Sequence, residues 1–287
     1  MSIDIEFTKM HGLGNDFIVV EERALDGLDG LEPGALARRI CHRQTGVGAD
    51  GLLLLVGPDA DHTVGMRVLN PDGSESSMCG NGIRCVARYV HDRAILRRPV
   101  LAVRTRAGLM TVAVERDGDT VTGLRIDMGL PRFDAAGIPV RAGADPAALL
   151  AGGNGSNEPP LRFHAVGLGV PHAVTFVDAL DGTLVRNAGP RVERDPLFPE
   201  GVNVNFVQPL ARDRLRVRSW ERGAGATLAC ASGACAAAVV AGLRGLTGPR
   251  VTVELELGEL TVERHADGRV FMTGPAEQVC TGRFHVR

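Results

Sequence analysis

The chain has 287 residues, of which 44% are hydrophobic, 23% charged and 4% aromatic, a composition that excludes disordered, collagen-like and membrane-spanning proteins. With 32 basic against 34 acidic residues the net charge is -2, so no global field favours nucleic acid or an anionic membrane. The length suits two domains of roughly 100–200 residues each.

In chain order, the apolar pattern predicts strands over 3–10 and 17–20, a helix over 33–43, strands over 52–56 and 63–69, and a helix over 81–92. A strand-like stretch follows over 101–114, and 142–160, rich in Ala, Gly and Pro, reads as a surface loop. Beyond it lie strands over 162–166, 173–177, 203–208 and 215–220, a helix over 232–246, and strands over 251–255 and 270–273. The longest unbroken aliphatic run, 52–56, is far short of the roughly 20 residues a membrane helix needs. Residues 1–10 alternate charged and apolar side chains and do not read as a signal peptide, which predicts a cytoplasmic protein. Lys9 is the sole lysine. Schiff-base chemistry, pyridoxal catalysis included, therefore has a single candidate, on a predicted strand with no other cofactor feature beside it.

An internal repeat organises the rest. Cys79-Gly80-Asn81-Gly82 recurs as Cys230-Ala231-Ser232-Gly233, each followed by a second cysteine (Cys85, Cys235) in an apolar run. Asn70 and Glu221 stand at the same place before each lead cysteine, at the end of a strand-like stretch. Gly12-Leu13-Gly14 recurs as Gly167-Leu168-Gly169, and Gly46-Val47 as Gly201-Val202, in the same order and at nearly the same offset. The expected architecture is α/β (α+β), two pseudo-symmetric domains from an internal duplication. They are placed at 1–128, with 276–287 returning to it, and 129–275. Two apparent motifs carry no chemistry. Gly46-Val47-Gly48-Ala49-Asp50-Gly51 fits G-x-G-x-x-G but follows a helix and precedes a strand, the reverse of a dinucleotide site. The C-x5-C and C-x4-C spacings do not match paired zinc knuckles, so no metal is expected.

Each lead cysteine opens a helix, where unpaired N–H groups and the macrodipole bind carboxylates and lower a thiol pKa. Cys79 and Cys230 facing each other across a cleft between the halves would place one thiol on each face of an α-carbon, an arrangement for stereoinversion. Cys41, Cys85, Cys235 and Cys280 read as small buried hydrophobes.

Four segments then carry a family resemblance: Met10-His11-Gly12-Leu13-Gly14-Asn15-Asp16-Phe17, Asn70-Pro71-Asp72-Gly73-Ser74-Glu75, Met78-Cys79-Gly80-Asn81-Gly82-Ile83-Arg84-Cys85 and Trp220-Glu221-Arg222-Gly223-Ala224-Gly225. They resemble the diaminopimelate epimerase family, and the similarity runs from Phe7 to the Met272-Thr273-Gly274-Pro275 segment. The resemblance implies a cofactor-independent isomerase that interconverts LL- and meso-diaminopimelate, with a strand-rich, barrel-like sheet around a central helix in each domain. It makes Cys79 and Cys230 the acid/base pair, tuned by His172 and Glu221. Gly80, Asn81, Ala231 and Ser232 would hold the reacting carboxylate. Asn15, Asn70, Asn203, Glu221 and Arg222 would line the rest of the substrate site, Arg222 on the distal carboxylate. The expected partner is this small-molecule substrate, with neither nucleic acid nor membrane and with a possible homodimer. Taken alone, His172, Asn70 and Asn203 are equally readable as loop, turn or strand-end residues.

Four positions depart from the family pattern. Val170 stands where an Asn is usual, Gly51 where a Gln is common, Ala226 where a Glu is usual and Ala231 where a Gly is usual. Two alternatives follow: the same chemistry on another amino acid, histidine or a diamino acid, or a silent relative that only binds.

Overall fold

The computed structural model describes residues 3–26, 30–135, 137–152 and 160–286. The chain divides into two compact units, Met1–Ile126 with Gly274–Arg287, and Asp127–Thr273.

The first unit runs β1 (Ile3–Gly12), β2 (Asn15–Glu21), α1 (Pro33–Ile40), β3 (Gly51–Val56), β4 (Thr63–Leu69), β5 (Glu75–Ser76), α2 (Gly80–Asp92), β6 (Val100–Thr105), β7 (Gly108–Asp117) and β8 (Thr120–Gly129). The chain's last strand, Glu277–Val286, returns to pair antiparallel with β1. Two parallel pairings, β2 with β3 and β4 with β6, are made by crossovers through α1 and α2; the other pairings are antiparallel. The unbroken apolar run of β3 follows from this layering. Leu52 and Leu54 pack with Leu36 and Ile40 of α1, whereas Leu53 faces Gly82 of α2. A strand with helices on both faces has no solvent side and so no alternation.

The second unit repeats the plan with β9 (Leu149–Ala151), β10 (Leu161–Leu168), β11 (Val170–Phe176), α3 (Gly182–Glu193), β12 (Asn203–Ala211), β13 (Arg214–Glu221), β14 (Gly225–Thr227), α4 (Ala231–Leu243), β15 (Arg250–Glu254), β16 (Glu259–Arg264) and β17 (Val270–Gly274). Its parallel pairs are β11 with β12, through α3, and β13 with β15, through α4. The remainder are antiparallel in the same order as in the first unit. The chain's last strand is β18. The duplication read from the cysteine motifs is thus a duplication of strand order.

Helix α2 touches β1, β2, β3, β4, β6 and β7, and α4 touches the equivalent strands β10, β11, β12, β13, β15 and β16. At about 4.8 Å between neighbouring strands, a flat run of that many is wider than a helix of about 10–12 Å. Each sheet therefore curls around its helix. Enclosure explains why α4 is apolar on all sides: Gly233 to Ala241 are all buried.

Several elements differ from their sequence patterns. The stretch 101–114 is two strands, because the chain turns at Arg106-Ala107 and Gly108 takes φ +121. Helix α3 carries Gly182, Gly189 and Pro190, poor helix formers that hide it from a propensity reading. It forms nonetheless: Asp181 caps it through Leu184 N–H at 2.8 Å, and Gly189 lets Trp220 lie where a Cβ would come within 2.5 Å of its ring. Strand β9 lies inside the stretch read as a loop, whose residues 153–159 are outside the described part. Cys280 is exposed on β18, not buried; Cys41, Cys85 and Cys235 are buried. Among the described residues no helix is long and apolar enough to cross a membrane.

Candidate active site

In the first unit the site residues gather at the start of α2. The β1–β2 hairpin turns through Leu13 (φ 58) and Gly14 (φ 90), a two-residue loop with both φ positive. Gly12 is required here, because a Cβ would lie 2.7 Å from Nη2 of the fully buried Arg84. Arg84 in turn donates to the carbonyls of Gly80 (3.3 Å) and Pro275 (3.0 Å), which fixes the first turn of α2 against the returning C-terminal segment. The hairpin delivers Asn15. Its Oδ1 accepts from Asn81 Nδ2 at 2.9 Å and from the Cys79 thiol at 3.9 Å, and its Nδ2 donates to Asp50 at 2.8 Å. Cys79 is the N-cap of α2, and its Sγ accepts from Gly82 N–H at 3.4 Å. The Gly80 and Asn81 N–H groups open the helix, where no intrahelical acceptor exists. Asp50 is braced by Arg43 at 2.7 Å, which also bonds Asp16; Lys9 bonds Asp16 at 3.0 Å and the Gly48 carbonyl at 2.7 Å. Burial raises the Asp16 pKa, but hydrogen bonds from Arg43 and Lys9 outweigh it and hold the carboxyl below its usual range. The one lysine is thus committed to structure. Asn70 instead closes its own turn, donating to Ser74 at 2.9 Å and accepting from Ser76 at 3.2 Å.

In the second unit Cys230 is the N-cap of α4, 3% exposed, with its Sγ 3.7 Å from Ser232 Oγ. Burial pushes this thiol well up, and the Glu221 carboxylate beside it adds to the shift. This corrects the expectation that a helix terminus lowers both thiols: at Cys230, desolvation and a neighbouring negative charge win. Glu221 ends β13 and accepts from Thr227 at 2.5 Å. Ala231 opens α4 without a positive φ, so its methyl group carries no backbone strain. His172 is completely buried on β11, opposite Asn203 in the parallel ladder. Burial, then the charge of Arg222, lowers its pKa to about 3. Asn203 accepts from the Arg222 backbone at 2.8 Å, and the Arg222 guanidinium donates to the Glu200 carbonyl at 2.8 Å.

The departing positions have physical counterparts. A side chain at Gly51 would begin 3.0 Å from the Leu69 carbonyl and 3.3 Å from the Phe17 ring. Val170, partly exposed, starts β11 where Asn15 starts β2, and offers no hydrogen bond. Ala226 pairs with Trp220 across β13 and β14. Three residues were missed. Asp50 lies in the Gly46-Val47-Gly48-Ala49-Asp50-Gly51 segment, whose glycine spacing only mimics a nucleotide motif. Glu193, at the end of α3, holds Trp220 Nε1 (2.7 Å) and Gly223 N–H (3.0 Å) and so braces the Glu221-Arg222 corner. Asn205 was the most legible, since it repeats Asn203 two residues on and therefore shares its face of β12.

The fold is shared with solved amino-acid epimerases and racemases. A hydroxyproline epimerase from Agrobacterium vitis superposes with a TM-score of 0.69 at 15% identity, covering 99% of this chain and 93% of that one. A probable proline racemase from Agrobacterium radiobacter gives 0.68 at 17%, covering 97% and 92%. At sequence level the likeness is narrower. The sequence model described as diaminopimelate epimerase matches residues 7–133 and 164–279. The diaminopimelate epimerase of Moorella thermoacetica is 46% identical over 281 residues, 98% of this chain and 99% of that protein. That of Desulforudis audaxviator is 48% identical over 283 residues, with 98% and 99% covered. The chain belongs to the diaminopimelate epimerase family, a family of isomerases.

Proposed function

We propose that this protein interconverts LL- and meso-2,6-diaminopimelate by proton exchange at one α-carbon, with Cys79 and Cys230 as the acid/base pair and no added cofactor. The observation that carries this reading is positional. Both cysteines are N-caps of the central helices, at equivalent points of a duplicated strand order. A thiolate takes the α-proton and becomes a thiol. The electron pair passes into the substrate carboxylate, and the opposite thiol delivers a proton to the other face and becomes a thiolate. The raised pKa of Cys230 suits the proton donor, and Glu221 is placed to receive its proton when the roles reverse. The developing charge on the substrate carboxylate is met by N–H groups of Gly80, Asn81, Ala231 and Ser232. Asn15, Asn70, Asn203, Glu221 and Arg222 line the rest of the substrate site, with Arg222 on the distal carboxylate, and His172 and Glu221 tune the thiols.

In this reading the two compact units act as two domains, 1–128 with 276–287 and 129–275, in a cytoplasmic enzyme that forms a homodimer. Val170 supports a second reading, the same chemistry on a different amino acid, because it removes a hydrogen bond worth roughly 1.5–3 kcal/mol toward a charged group. The test is incubation of purified protein with LL-diaminopimelate and a panel of single L-amino acids, followed by chiral chromatography. Appearance of meso-diaminopimelate is the expected result. Turnover of another amino acid alone would favour the second reading, and no turnover would sink both.

A further inference from the structure

The two units differ at one pair of equivalent buried places. In the first ladder pair of β2 with β3, Phe17 faces Gly51; in that of β11 with β12, His172 faces Asn203. Two residues on, Leu53 of β3 corresponds to Asn205 of β12. Leu53 lies 3.0 Å from where a Gly82 Cβ would be, and Asn205 Oδ1 lies 2.2 Å from where a Gly233 Cβ would be. The fold thus accepts Phe and Leu at these positions in one unit and carries His and Asn in the other. The fold does not require polar side chains at these positions, and the buried His172 Nε2, which has no hydrogen bond among the described residues, costs stability, so the pair serves something other than the fold.

The hydrogen bonds show what. Asn205 Nδ2 faces the carbonyls of Ala173 (3.4 Å) and Asn203 (3.5 Å), and its Oδ1 lies 2.9 Å from Ser219 Oγ. Carbonyls only accept, so the amide nitrogen, not the oxygen, must point at them. That same nitrogen is 3.2 Å from His172 Nδ1. Nδ1 must therefore accept, which places the proton of the neutral ring on Nε2. His172 Nε2 is buried and has no hydrogen-bond partner among the described residues.

We infer that Asn205 is a positioning residue that holds His172 in its Nε2–H form, so that His172 works as a hydrogen-bond donor to an anion in the active site and not as a proton-abstracting base. The anion is a thiolate or a substrate carboxylate, and this role rests on the epimerase reading above. A backbone clamp fixes an amide, the amide fixes a tautomer, and the tautomer presents one buried N–H group with its desolvation already met. Gly233 is the steric condition, leaving room for the carboxamide under the first turn of α4.

The test is 15N NMR of histidine-labelled protein, with Asn205→Leu as the variant, since leucine is the residue the first unit carries there. In the unsubstituted protein the His172 ring should show a protonated Nε2 and an unprotonated Nδ1. In Asn205→Leu that preference should be lost, with kcat down about 10- to 100-fold and KM changed little. A protonated Nδ1 in the unsubstituted protein would overturn the inference whether or not the variant folds. So would an Asn205→Leu protein with unchanged tautomer and kcat. If the unsubstituted protein turns over no amino acid, the epimerase reading fails while the tautomer result stands on its own.

Discussion

Gly233→Ala sets two effects of opposite sign against each other. In an ordinary helix interior the change stabilises by about 1 kcal/mol, because alanine loses less backbone entropy. Here the new Cβ would lie 2.2 Å from Asn205 Oδ1 and 3.1 Å from Cys230 Sγ. The carboxamide has to withdraw by about 1 Å to reach ordinary contact distance. Its bonds to Ser219 (2.9 Å) and His172 (3.2 Å) are then lost in a site that water does not reach. At roughly 1–3 kcal/mol for each buried group left unsatisfied, the loss outweighs the helix gain. A net destabilisation of about 1–5 kcal/mol follows. Scanning calorimetry of Gly233→Ala, Asn205→Ala and the double variant reads it directly. With Asn205 truncated only the 3.1 Å approach to Cys230 Sγ remains, so Gly233→Ala should cost far less in that background and the two changes should be strongly non-additive. Additive effects, or a Gly233→Ala protein as stable as the parent, would show that Asn205 does not depend on the space Gly233 leaves.

Thiol reactivity should follow burial and charge. Burial pushes Cys41 and Cys85 to about 12, so they should resist alkylation in the folded protein, whereas exposed Cys280 should label first and leave activity intact; peptide mapping after brief iodoacetamide treatment checks the order. His172 should steepen acid denaturation. Its folded pKa of about 3 lies below the ordinary 6.5, so between those values the unfolded chain binds the extra proton and stability falls as pH falls, by up to about 1.4 kcal/mol per pH unit. Denaturant melts from pH 6.5 to 4.5 should therefore cost the parent about 2–3 kcal/mol more than His172→Phe; parallel curves for the two proteins would contradict the buried neutral ring.

Much of the site was legible because it is built on repetition. Cys79 and Cys230 are readable as helix-opening residues because each is followed by a glycine-bearing first turn and a long apolar run. That the two units share one strand order follows from the same repeat, whereas the parallel pairs themselves do not. Elements held by tertiary contacts were not legible. Helix α3 has two glycines and a proline and is held by its Asp181 cap and by Trp220 packed against Gly189. Strand β18 is exposed along most of its length and owes its conformation to pairing with β1. Electrostatics was the least accessible. A helix N-terminus argues for an acidic thiol, and only the packing of Cys230, closed in with Glu221, reverses the sign. Asn205 alternates with Val204 and Phe206, so its face was predictable; its partner His172, 33 residues earlier, was not.

The proposed chemistry is the exchange of one α-proton between two thiols. The most direct measurement is proton NMR of diaminopimelate with the reduced protein in D2O, comparing the parent with Cys79→Ala and Cys230→Ala. The parent should replace the α-proton signal with deuterium as the second isomer appears, and each alanine variant should abolish the interconversion. Isomer interconversion that continues in either variant would contradict the two-thiol mechanism.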